Sequence, residues 1–255
     1  MSARKTVAIH CFQDGAAPSF SRSKGHAIVA VDVIRATTTA VTALAAGRRC
    51  FPVATVDAAV RRARQLASPL LVGELGGNMP YGFDLTNSPA ALAARTDVGR
   101  PMVLLSTSGT PLICAPGTSQ PTYVACLRNY RVQARHLAAH HDAVTVIGAG
   151  ARGEFREEDQ LCCAWIAEQL LRLGHEPEDE RTRALVERWS GAPVEALLCS
   201  ASVAYLRRTG QLADLEFVLS HVDDVGEVYR RCGRELVRAP VLPLPLTRSL
   251  EHAQA

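Results

Sequence analysis

Asp32 and Arg35 stand where the aliphatic run beginning at Ala27 gives out, and Thr37, Thr38 and Thr39 follow at once. A carboxylate in that place can ligate a hard cation, and a guanidinium can fork onto a phosphate or carboxylate. Hydroxyls and amides at a helix start hold anions. The plainer reading is a structural Asp32–Arg35 ion pair and a threonine cap. The pattern then recurs. Glu74 and Asp84 lie ten positions apart in the glycine-rich stretch 73–89, where Asn87 or Ser88 can cap a helix opening at Pro89. Ser106, Thr107, Ser108, Gly109 and Thr110 form a turn of small hydroxyls, a nest suited to phosphate. No lysine follows, so it is not a Walker A loop.

A fourth cluster, residues 148–159, reads GAGARGEF followed by Arg156, Glu157, Glu158 and Asp159. It matches the GxGxxG dinucleotide fingerprint, which also requires a following helix, a second strand and an acid roughly 20 residues on. Here helix follows helix, and acids crowd the first turn, where a pyrophosphate would be repelled. Glu158 and Asp159 read better as metal ligands, or as acids complementing a helix dipole. A nucleotide-binding oxidoreductase using the Gly148–Gly153 loop stays as an alternative.

Each cluster needs a strand behind it. Short, continuously apolar runs predict strands over 6–10, 27–33, 49–54, 70–73, 102–106, 122–125 and 143–148, buried on both faces. Helical patterns fall between them, over 39–46, 56–67, 89–95 and 129–141, with Gly47 as a stop. After residue 155 the chain turns helical: 157–173, 180–190, 193–208 and 212–220. The stretch 236–246 holds three prolines and predicts an edge strand at most. The fold class is α/β: three layers, α/β/α, around a largely parallel or mixed sheet with a helix-rich C-terminal half. One domain, 1–255, is expected, with a sheet-rich part (1–155), a helical part packed on it (156–222) and a tail (223–255). Ligands of such sheets bind beyond the carboxyl ends of the strands.

Composition excludes other classes. With 255 residues, 47% of them hydrophobic, the chain can build a substantial core. Neither a membrane-spanning run nor a signal peptide is read, and a cytoplasmic location is the expectation. The net charge is +3, but the arginines are spread along helices beside acids, so no nucleic-acid partner is expected. The eight cysteines show neither CxxC nor zinc spacing and are expected as reduced core fillers. Cys126 and Arg131 fall one residue short of a Cys-x5-Arg phosphatase loop. His136 and His140 have a chelating spacing without a third ligand, and Tyr81, Trp165 and Trp189 read as packing residues.

Taken together, the blocks 32–39 (DVIRATTT), Gly73-Glu74, 82–85 (GFDL) with Asn87-Ser88-Pro89, the turn ending at Thr110, and Ala149-Gly150 through Gly153, Phe155, Glu158-Asp159 and Ala164 resemble the 2-phosphosulfolactate phosphatase family. They occur in the family's order across Ala27–Ala164. The chain departs from the pattern at Ser108, where the family carries Asn, and at Thr86, where Gly is frequent. The resemblance implies a three-layer α/β/α fold and Mg²⁺-dependent hydrolysis of 2-phosphosulfolactate to 3-sulfolactate and phosphate, a step of coenzyme M biosynthesis.

The residues, read alongside that resemblance, are expected to form a metal-dependent phosphomonoesterase. Asp32, Glu74, Asp84, Glu158 and Asp159 are the candidate Mg²⁺ ligands, directly or through water. Asp32, Arg35, Glu74 and Asp84 carry the catalysis. Thr37, Thr38 and the Ser106–Thr110 turn hold phosphoryl oxygens, and Arg152 takes the substrate's carboxylate or sulfonate. An aspartyl-phosphate route is disfavoured because Ile34 stands where a second Asp would be needed. The partner is a small phosphorylated anion, with neither nucleic acid nor membrane. A homodimer is left open, as is a non-catalytic phosphometabolite-binding module.

Overall fold

The seven apolar runs form strands because each is too short for a stable helix and is rich in Val, Ile and Leu. In the computed structural model, which describes residues 4–13, 26–117 and 119–240, they are β1 (Thr6–Cys11), β2 (His26–Val31), β3 (Cys50–Val53), β4 (Leu70–Gly73), β5 (Met102–Leu105), β6 (Thr122–Ala125) and β7 (Ala143–Gly148). Three more are β8 (Glu176–Pro177), β9 (Tyr229–Cys232) and β10 (Glu235–Arg238). The helices are α1 (Ala36–Ala45), α2 (Val56–Ala63), α3 (Pro89–Ala93), α4 (Gly109–Cys114), α5 (Tyr130–His140), α6 (Glu157–Arg172), α7 (Glu180–Trp189), α8 (Ala201–Arg208) and α9 (Leu212–Ser220). Local chemistry sets their ends. Thr55 and Ser88 accept the amides of Ala58 and Ala91, each three residues on. Gly47, at φ +83°, stops α1.

The ten strands form one mixed sheet in the order β4-β5-β3-β10-β9-β6-β2-β7-β1-β8. It consists of two parallel blocks, β4-β5-β3 and β6-β2-β7-β1-β8, joined by the antiparallel β9–β10 hairpin. The stretch from 236 was expected at an edge. Instead Leu236, fully buried, pairs with Cys50 in the interior of the sheet, and residues 241–246 lie outside the described part. The hairpin escaped the sequence because arginines interrupt YRRC and ELVR and leave no continuous apolar run, and Gly233 turns between them at φ +59°. The helix expected over 193–208 divides into a 3₁₀ turn, Val194–Cys199, and α8, where the Ser200 hydroxyl caps by accepting the Val203 amide. Helix α1 starts at Ala36 rather than Thr39.

Each sheet face has its own cover. Val7, Ile9, Val29 and Val31 pack with Leu137 of α5, Leu161 and Ile166 of α6, and Trp189 of α7. On the reverse face Ile28, Ala30 and Ile147 meet Val41 of α1 and Leu112 of α4, which also touch the Leu70, Met102 and Leu104 layer of the other block. So α1 and α4 fill a fold in the sheet. Val103 and Leu105 face outward onto Ala59 of α2 and onto Phe83. Full burial of each such aliphatic side chain contributes about 1.5–3 kcal/mol. The wrap around α1 and α4 brings the carboxyl ends of β2 and β5 together, although three antiparallel pairings separate the blocks. A rotation of roughly 20–25° at each of the five strand steps between them accounts for it. No helix among the described residues is long and apolar enough to cross a membrane.

Candidate active site

Where those strand ends converge lies a cleft enclosing about 340 Å³. Its floor carries Asp32, Glu158, Asp159 and Glu74, and its walls carry four arginines, Arg35, Arg152, Arg156 and Arg208.

Asp32 follows β2, and its backbone is tied back by α1: Thr37 Oγ1 accepts the Asp32 amide at 2.8 Å, and the Thr38 hydroxyl donates to the Val33 carbonyl at 2.7 Å. The Asp32 carboxylate rests against the backbone of Gly109. A Cβ there would lie 2.1 Å from Asp32 Oδ2, so the glycine of the third cluster is what lets the two strand ends meet. Burial pushes the Asp32 carboxyl up to about 7. The Ala36 amide opposes this, the Glu74 and Glu158 charges add to it, and Arg35 lowers it.

Asp159 is fully enclosed. Its Oδ1 accepts the Val33 amide at 2.8 Å and its Oδ2 the Gly150 amide at 3.0 Å, so it clamps the loops after β2 and β7. Burial and the neighbouring Asp32 and Glu158 charges raise its pKa well above the usual carboxylate range. The fingerprint glycines are thereby explained. Gly148 makes room for the Phe155 ring, which a Cβ would meet at 2.3 Å, and Gly150 turns at φ +60° to offer its amide to Asp159. The chain's own acid occupies the amide a pyrophosphate would need. Glu158 is buried with Oε2 lacking any hydrogen bond. Burial raises its pKa too, opposed by the Ser202 and Ser200 hydroxyls.

Glu74 braces rather than hangs free. Oε1 accepts the Thr107 amide at 2.7 Å, while Oε2 takes the Thr107 hydroxyl and the Gly77 amide, both at 2.8 Å. Ser106 and Thr110 cap each other: the Thr110 amide donates to Ser106 Oγ and the Ser106 amide to Thr110 Oγ1, both at 2.8 Å. Thr107 and Ser108 line the cleft, whereas Ser106, Thr110, Thr37 and Thr38 stand behind it, their hydroxyls spent on backbone.

Besides these four hydroxyls, two more residues depart from expectation. Asp84 does not join the other acids: exposed beside β4, it accepts the Leu71 amide at 2.8 Å and stands 3.5 Å from Arg100. Arg35 pairs not with Asp32 but with Asp214 of α9, both side chains about 5% exposed or less, and with Gln211. Asp214 Oδ1 also takes the Ser88 hydroxyl at 2.6 Å and the Ala90 amide at 3.2 Å. Both Arg35 bonds leave from Nη1. Arg152, held at φ +54°, has no ion pair or hydrogen bond among the described residues.

Several cleft residues had no signal in the sequence. Ser202, Tyr205 and Arg208 come from α8, which reads as an ordinary amphipathic helix; the Tyr205 hydroxyl donates to the Gly77 carbonyl at 2.8 Å. Arg156 follows directly on the fourth cluster, and its adjacency could have marked it. Gln13 donates to Ser108 Oγ at 3.3 Å.

Of the side features, all eight cysteines are unbridged. His136 stacks on His140 at 4.2 Å and bonds the Tyr123 hydroxyl, which His141 shares. Burial lowers the His136 pKa to about 4. Trp189 is buried and Trp165 packs against Tyr130 at a tilt of 49°, but Tyr81 is fully exposed, with no packing role.

A buried acidic floor beneath an arginine rim, at the carboxyl edge of an α/β sheet, is the chemistry of a protein that handles small anions. A sequence model described as 2-phosphosulpholactate phosphatase matches residues 16–227. A probable 2-phosphosulfolactate phosphatase of Deinococcus radiodurans is 36% identical over 192 residues, 73% of this chain and 80% of its own. One of Thermus thermophilus is 36% identical over 197 residues, covering 74% and 81%. One of Pseudothermotoga lettingae is 40% identical over 149 residues, covering 58% and 64%. The chain belongs to the 2-phosphosulfolactate phosphatase family, a family of phosphoric monoester hydrolases.

Proposed function

We propose that this chain hydrolyses 2-phosphosulfolactate to 3-sulfolactate and phosphate with the help of Mg²⁺. The observation that carries the reading is the excess of buried carboxylate over cation on the cleft floor. Asp32, Glu158 and Asp159 are all pushed up in pKa while Arg35 is claimed by Asp214.

The donor set fits a hard cation in a restricted way. Among the described residues no three or more His, Cys, Asp or Glu side chains are grouped as a metal-ligand set. Asp159 and Glu74 have both oxygens committed to amides or hydroxyls. That leaves Asp32 and the unpartnered Oε2 of Glu158, which suits Mg²⁺, since it is commonly held by one or two carboxylates, the substrate phosphate and its own waters. When bound, the ion would neutralise charge developing on the phosphoryl group and make a bound water more acidic.

The chain's own residues do the rest. Arg35, anchored through Nη1, presents its remaining guanidinium edge to phosphoryl oxygens. Thr107 and Ser108 stand on the cleft wall opposite. Asp32, at the cleft floor, is placed to orient an attacking water by accepting its hydrogen bond. Arg152, Arg156 and Arg208 match the carboxylate and sulfonate that distinguish this substrate from simple phosphate esters. Tyr205, fixed on the Gly77 carbonyl, closes the side formed by α8 and limits water.

The test compares two acids. Asp32→Asn is expected to lower kcat/KM for 2-phosphosulfolactate by at least about 100-fold with folding retained. Asp84→Asn should leave it near wild type. Equal activity of the Asp32→Asn variant and the parent would defeat the assignment.

A further inference from the structure

At the far end of α4 from the cleft lies a second hollow, of about 670 Å³, between α2, the residues after α4 and the β9–β10 turn. Among the described residues four arginines line it, Arg61, Arg62, Arg231 and Arg234, and no carboxylate does. Other arginines are matched one to one with an acid: Arg48 with Asp97, Arg128 with Asp224 and Arg35 with Asp214. The neighbouring acid, Glu235, is engaged by both arms of Arg49 at 2.8 Å each.

The four arginines divide into fixed and free. Arg231 is built in: its Nη1 donates to the carbonyls of Ile113 at 2.8 Å and Cys114 at 2.9 Å, and its Nη2 to those of Pro116 and Gly117. It thus caps the C-terminal end of α4 and brings a fixed positive charge to the hollow's wall. Arg62 lies over the Phe51 ring at 5.2 Å. Arg61 and Arg234 make no ion pair or hydrogen bond among the described residues, so their planar forks are free for a guest. Gathering like charges in a concavity costs free energy that a bound anion removes. Guanidinium forks match phosphate oxygens in geometry, and the volume lies within the range of small-molecule sites.

We infer that this hollow is a second, non-catalytic binding site for a phosphate-bearing small polyanion. Arg61 and Arg234 grip its charged groups, Arg62 and Arg231 hold the field, and Pro52, Val53 and Ala58 offer an apolar wall to its body. Among the described residues the hollow supplies no acid, base or activated nucleophile. Its one thiol, Cys114, is pushed up by burial. The ligand is therefore bound rather than transformed. This inference stands independently of the reaction assigned to the cleft.

Calorimetric titration of the full chain with inorganic pyrophosphate at low ionic strength tests it. The double variant Arg61→Gln/Arg234→Gln is expected to weaken one binding event by about tenfold or more while phosphatase turnover is retained. Arg64→Gln, an exposed change just past the end of α2 but outside the hollow, should leave binding unchanged. Identical isotherms for the double variant and the parent would overturn the inference. So would an equal loss in Arg64→Gln, which would mark the binding as diffuse surface charge.

Discussion

Asp32 and Arg35 are three residues apart and do different work from a simple pair. Arg35 reaches across to α9, where Asp214 holds it together with the Ser88 cap of α3. That one carboxylate ties three elements beside the cleft. Removing one member of a buried ion pair leaves the other uncompensated, so Asp214→Ala is expected to cost about 3–5 kcal/mol of stability. Urea denaturation measures it, and an unchanged midpoint would mean that Arg35 finds solvent or another partner at no cost. At this scale the sequence is informative only near the strands. Asp32, Glu158 and Asp159 could be marked because each adjoins a strand exit. Asp214, Tyr205 and Arg208 could not, since nothing local distinguishes a cleft-facing side of α8 or α9 from a solvated one. Asp84 misled for the converse reason: it follows a strand and a glycine, but Arg100 and the Leu71 amide hold it outside.

The elements are positioned by close approach more than by charge. Gly109, the first residue of α4, allows the β5 end to touch the Asp32 carboxylate, and Gly148 allows Phe155 to cover the β7 end. Gly109→Ala is expected to displace Asp32 and reduce phosphate release by at least about tenfold, with secondary structure by circular dichroism intact. Activity equal to the parent would show that the strand ends tolerate separation. Gly109 sits in a turn that the sequence reads as a phosphate nest, and Gly148 in a match to the dinucleotide fingerprint. Their role in the folded chain is steric, a distinction that spacing alone does not make. The seven apolar strands were legible because they are buried on both faces and carry a continuous signal. The β9–β10 hairpin was not, because only Tyr229 and Leu236 of its eight strand residues are buried. Its central place in the sheet is set by pairing with β3 and β6, which are far away in sequence.

For the molecule as a whole, two parallel blocks wrap around α1 and α4, and the wrap makes one cleft out of four separate strand exits. The class of the fold was readable from alternating strands and helices, but the curvature was not, because it accumulates over inter-strand rotations that no single segment records. That curvature concentrates carboxylates under arginines, and the functional reading rests on this concentration. The most direct check is phosphate release from 2-phosphosulfolactate by the purified chain, followed with added Mg²⁺, after chelation and after Mg²⁺ is restored. The account predicts release of phosphate together with sulfolactate, lost on chelation and recovered with the metal. Release that survives complete chelation, or none with Mg²⁺ in excess, would contradict it.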